Sequence, residues 1–69
     1  MNGKMSYYKL KGFLAEQGIK HSKVAKILGI SQTTFSKKIN RNNADFNADE
    51  IRVICRTYNI SSDEFFLTY

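Results

Sequence analysis

A chain of 69 residues with 42% hydrophobic side chains can bury one modest core, so a single domain over residues 1–69 is expected, with no separate effector unit. No apolar run approaches the roughly 20 residues of a membrane span, the N-terminus lacks a signal-peptide stretch, and one cysteine, Cys55, cannot close an internal disulfide. The formal charge of +5 is divided unevenly: residues 1–41 carry nine Lys and Arg against Glu16 alone, whereas residues 42–69 carry Arg52 and Arg56 against five carboxylates.

In chain order, the first predicted helix covers residues 6–17. Ser6 is its expected cap, Met5 and Leu10 bracket the first turn, Phe13 and Leu14 continue the apolar side, and Gly18 stops it. Gly12 weakens this helix or lets another backbone come close. Residues 1–5 are a flexible arm or a start-site artefact. The second helix starts near Lys20 or His21, where Ile19 and Val24 can pair across the start but no good capping side chain is present. Val24, Ile27 and Leu28 are its apolar positions, Ala25 leaves room for a close crossing, and Gly29 ends it in a left-handed conformation that costs glycine nothing. Ser31 then caps a third helix beginning at Gln32, and Ile30 with Phe35 fixes the angle at which it sets off.

The segment HSKVAKILGISQTTFSKKI, residues 21–39, therefore has the form helix, turn, helix. With Phe35 and Ile39 inward, Gln32, Thr33, Ser36, Lys37 and Asn40 lie on the other face. Amides, hydroxyls and cations of this kind match base edges and phosphates: glutamine pairs bidentately with adenine, a threonine methyl meets that of thymine, and lysine reaches guanine or a phosphate. No acidic residue interrupts residues 19–44. The plainer reading of the same face is an ordinary solvated helix surface.

Two further helices follow. Asn47 and Glu50 make a capping box flanked by Phe46 and Ile51, and Ile51, Ile54, Cys55 and Tyr58 form the inner stripe. Ser61 and Glu64 repeat the device, with Ile60 and Phe65 beside them. The expected fold class is all-α, a compact five-helix bundle with no strand. Cys55 is read as a reduced, buried thiol of a cytoplasmic protein. His21, the lone histidine, is a helix-start surface residue or a phosphate donor rather than a metal ligand. One His, one Cys, no glycine-rich phosphate loop and no carboxylate cluster on the basic half argue against an enzyme, and with no second domain neither a cofactor nor a small-molecule ligand is expected. Phe65, Phe66, Leu67 and Tyr69 exceed what a small core takes up; Phe65 and Leu67 are assigned to the core and the remainder to a dimer contact.

The segment GIKHSKVAKILGISQTTFSKKIN resembles the DNA-binding domain of the phage repressor and Cro group, the Cro/C1-type or xenobiotic-response-element helix-turn-helix. ADFNADEIRVICRTYNISSDEFF is similar to the two closing helices of that five-helix, lambda-repressor-like fold, and the resemblance covers about residues 7–67. The SKKIN ending, a short loop and Phe46 look most like small regulators of phages and prophages in Gram-positive bacteria. The resemblance implies base reading by Ser31, Gln32 and Thr33, with Lys37 one turn on. It implies phosphate contacts from His21, Ser22, Asn40, Arg41, Asn42 and Asn43. Two positions depart from the pattern: Lys20 and His21 stand where relatives have serine or threonine followed by glutamine, and Lys38 stands where an apolar residue is common. Lys38 snorkels beside the core or adds a phosphate contact.

Two functions follow from these expectations. One is a sequence-specific transcriptional regulator of repressor or Cro type, dimeric on a palindromic operator in double-stranded DNA within the bacterial cytoplasm, and closer to Cro than to a full-length lysogeny repressor. The other is a protein-binding module, an antirepressor or antitoxin-like partner using the same fold. The second predicts weak DNA binding and a tight protein complex.

Overall fold

The computed structural model describes residues 6–66. Five helices are found among them and no strand: α1 (Tyr8–Gln17), α2 (His21–Leu28), α3 (Gln32–Ile39), α4 (Ala48–Tyr58) and α5 (Ser62–Phe66). None of these is long and apolar enough to cross a membrane. The expectations for Met1 to Met5, Leu67 and Tyr69 lie outside the described residues.

Three helix ends follow one rule. Gly18 at φ +68, Gly29 at φ +74 and Asn59 at φ +54 turn the chain left-handed, and the next residue folds its N–H back onto the helix. Ile19 donates to the Leu14 carbonyl at 2.8 Å, Ile30 to Ala25 at 3.0 Å and Ile60 to Cys55 at 3.0 Å. Each isoleucine packs against the core as it does so. Backbone satisfaction and apolar burial thus coincide at the points where direction changes.

The core forms around Leu10, Leu14, Val24, Phe35, Ile39 and Ile54, all fully buried, with Tyr7, Ala25, Phe46 and Phe66 closing it. Ala25 is 2% exposed, as a close approach of α2 and α3 requires. Gly12 supports no such approach, since a Cβ there would meet nothing within 4 Å. Phe66, rather than Phe65, is the C-terminal aromatic in the core, with ring centroids 5.4 Å from Tyr7 and 5.8 Å from Phe46. Phe65 is half-buried and edge-on to Phe13 at 5.3 Å. Cys55 is half-buried, and burial pushes its thiol up, away from the reactive thiolate.

The start of α1 departs from the sequence expectation. Ser6 does not cap it; Tyr7 occupies that position and makes no side-chain cap bond. The Tyr7 N–H instead donates to the Ile39 carbonyl at 2.8 Å, so a free donor from one helix start meets a free acceptor from the end of α3. Capping by tertiary contact replaces the local cap. The reciprocal bonds expected of Ser61 and Glu64 are likewise not seen among the described residues, where α5 is a single short turn of five residues.

Candidate nucleic-acid interface

The helix pair α2–α3 is set by the turn between them. After Gly29, Ser31 adopts an extended backbone and its Oγ accepts from the Thr34 N–H at 3.1 Å, with a second bond to Thr34 Oγ1 at 2.9 Å. Ile30 and Phe35 both pack inward beside this cap. The hydroxyl of Ser31 is thereby committed to starting α3, which limits what it can offer a base. Gln32 and Thr33, immediately after it, are exposed.

One face of α3 is buried and the other is open. Phe35 and Ile39 are fully buried, whereas Gln32, Thr33, Ser36, Lys37 and Asn40 are exposed, at the spacing of a single helix face. The first turn of α3 carries no carboxylate and the last carries Lys37 and Lys38. An eight-residue helix is about 12 Å long, a length and diameter that a B-DNA major groove admits. At the start of α2, Ser22 is exposed, while the His21 ring is half-buried and edge-on to Phe35 at 5.3 Å. His21 therefore helps brace α2 against α3 as well as lying at the helix start expected to meet phosphate.

Two of the expected phosphate contacts are engaged inside the protein. Lys38 does not project to solvent: its Nζ sits 2.6 Å from Glu50 Oε2, with side-chain exposures of 17% and 11%. Glu50 Oε1 meanwhile accepts the Asn47 N–H at 3.0 Å and Asn47 Oδ1 accepts the Glu50 N–H at 2.8 Å, completing the expected capping box. Arg41 is also internal. Its guanidinium lies 4.7 Å over the Tyr7 ring and 3.1 Å from Asp45, and only 13% of the side chain is exposed. A cation bonded to a carboxylate and shielded in this way has little left to give a phosphate.

Arg41 also shapes the loop. It takes φ +54 after α3 and its N–H returns to the Lys38 carbonyl at 3.1 Å, while Asn42 donates to Lys37 at 2.9 Å. The left-handed position that glycine fills after α1 and α2 is here held by an arginine anchored through its side chain. Asn42 and Asn43 are exposed beyond it, Asn43 again at positive φ, and Asn40 is exposed at the end of α3.

Below the loop sits a group not foreseen from the sequence. The Tyr7 hydroxyl donates to Asp45 Oδ1, which also accepts the Phe46 N–H at 2.8 Å. Burial, then the bond to Asp45 and its charge, push the Tyr7 hydroxyl from 10.0 up to about 12, against a smaller opposing effect of Arg41. Burial alone would raise the Asp45 carboxyl, but the Tyr7 hydroxyl, the Phe46 N–H and the Arg41 guanidinium outweigh it and hold it below the usual carboxylate range. The start of α1 and the loop after α3, 38 residues apart at Tyr7 and Asp45, are tied together here.

Residues 9–68 match the family model of the Cro/C1-type HTH DNA-binding domain. The chain belongs to that family. No curated protein and no solved structure matches it. A Cro/C1-type chain is a DNA-binding regulator, and the exposed face of α3 is the part of this domain whose chemistry suits a groove. Lys11, an α1 side chain that reaches Asn40, was not singled out from the sequence; the two are 29 residues apart and no local pattern links them.

Proposed function

We propose that this Cro/C1-type chain is a sequence-specific transcriptional regulator of phage or prophage repressor or Cro kind, which occupies a palindromic operator through the major groove. The observation that carries the proposal is the exposed row of Gln32, Thr33, Ser36 and Lys37 on a helix whose opposite side is locked into the core. Rigid presentation of amide, hydroxyl, methyl and ammonium groups is what direct base readout requires. In this reading Gln32, Thr33 and Lys37 read bases, Ser31 starts the reading helix, and His21, Ser22, Asn40, Asn42 and Asn43 contact the DNA backbone. Blocking polymerase at an operator in the cytoplasm of a bacterial host, at the nucleoid, is then the mode of action.

A homodimer belongs to the same proposal. Two copies related by a two-fold axis set two reading helices about 34 Å apart, on successive major grooves of one DNA face. A groove of about 610 Å³ between α4 and α5, lined in part by Ile51, Cys55 and Phe66, offers apolar surface for the contact.

Selection of bound sequences from a random DNA pool, followed by titration of the selected duplex against random duplex, tests the reading. A palindromic winner bound at least about 10³-fold more tightly than random DNA is the expected result. Weak binding with no sequence preference would contradict it and favour the protein-partner function instead.

A further inference from the structure

Cations converge on the end of α3, and they are not equivalent. Lys38 faces Glu50 at 2.6 Å and Arg41 faces Asp45 at 3.1 Å, so each has a carboxylate at ion-pair distance. Lys11 arrives from α1 and bonds a neutral group: its Nζ donates to Asn40 Oδ1 at 2.8 Å. An amide acceptor fixes the position of an ammonium without cancelling its charge.

The hydrogen-bond inventory of this pair leaves donors to spare. Asn40 Nδ2 donates to the Ser36 carbonyl at 2.9 Å, which orients the amide plane against the last turn of α3. An ammonium has three N–H groups and a carboxamide nitrogen two, so after these bonds Lys11 retains two donors and Asn40 one. Asn40 is exposed, and Lys11 is half-buried, its stem laid against the protein with the charge at the surface. The Tyr7 N–H bond to the Ile39 carbonyl, 2.8 Å, holds the start of α1 against this end of α3, so the two side chains are presented as one unit.

We propose that Lys11 and Asn40 form a composite clamp for one DNA phosphate, with Lys11 the cation that α1 contributes to the interface. The clamp rests on the DNA-reading function above. It specifies no base, because phosphate contacts fix register and orientation while base edges carry sequence. It also places on α1 the charge that the sequence had assigned to Lys38 and Arg41.

Binding of the full chain to a random-sequence duplex and to the selected duplex, measured across a salt series, tests it. Lys11→Gln is expected to make the slope of log K against log salt less negative by about 0.9, the value for one phosphate of B-DNA, with equal fold losses on both duplexes. Lys11→Arg restores the charge and is expected to keep the wild-type slope. Lys9→Gln, on the other side of α1, controls for loss of charge alone and is expected to leave the slope unchanged. An unchanged slope in Lys11→Gln, a lost slope in Lys11→Arg, or an equal drop in Lys9→Gln would each overturn the clamp while leaving the regulator function standing. Failure of the wild-type chain to bind either duplex would overturn both.

Discussion

Glu50→Ala is expected to lower the unfolding free energy by about 3 kcal/mol, near the lower bound for breaking a buried ion pair from one side. A single carboxylate does two jobs here: Oε1 accepts the Asn47 N–H at the start of α4, and Oε2 holds the Lys38 ammonium at 2.6 Å. Alanine removes the acceptor side of the capping box and leaves Lys38, 17% exposed, without its counter-charge. Glu50→Gln keeps an acceptor for Asn47 but still loses the ion pair, so it is expected to cost only about 1 kcal/mol less than alanine, the worth of the capping-box bond. For a chain of this size the alanine variant corresponds to a fall in melting midpoint of more than about 10 °C. Equal midpoints for wild type and Glu50→Ala in thermal and urea unfolding would show that the Lys38–Glu50 pair contributes nothing.

Asp45→Ala is expected to be of similar size, about 2–4 kcal/mol, because the carboxylate accepts from the Tyr7 hydroxyl, the Phe46 N–H and the Arg41 guanidinium together. The pH dependence gives this network a signature. Tyr7 binds its proton more tightly folded than unfolded, so its contribution is complete below pH 10.0 and is lost as pH rises towards about 12. Asp45, held below its ordinary 3.8, behaves in the opposite sense: its contribution is present above that value and is lost as pH falls through the lower folded-state value. The stability gap between wild type and Tyr7→Phe is therefore expected to be flat across neutral pH and to close in strong alkali. A gap that stays constant to pH 12 would mean that the hydroxyl is not bonded to Asp45 in solution.

Much of the fold was legible because its signals are local. Gly18 and Gly29, each followed by isoleucine, mark where α1 and α2 end, and Ser31 and the Asn47–Glu50 box mark where α3 and α4 begin. Each involves residues no more than five apart, within reach of one helical turn and its cap. The exposed face of α3 was legible for the same reason, since burial of Phe35 and Ile39 decides which neighbours remain outside.

The site was less legible where distant residues meet. The Lys38 pair was hidden because Glu50 is 12 residues on, and the Arg41 pair because Asp45, although near in sequence, lies in the loop after α3 where no helical periodicity brings the two together. Arg41 also conceals the end of α3, since an arginine at φ +54 gives no glycine signal. Tyr7 and Asp45 are 38 residues apart, and nothing in either neighbourhood announces the bond. The missing cap of α1 has the same origin: the Tyr7 N–H is satisfied by Ile39, not by Ser6.

The central claim is that the exposed start of α3 reads bases, and Gln32→Ala tests it most directly. The side chain is exposed, stands directly after the Ser31 cap and makes no contact that the fold needs. On the duplex selected from a random pool, the variant is expected to lose about 1–3 kcal/mol and to relax preference at one position of each half-site, with binding to random duplex unchanged. Equal losses on the selected and random duplexes, or no loss on either, would contradict the assignment of sequence reading to this face of α3.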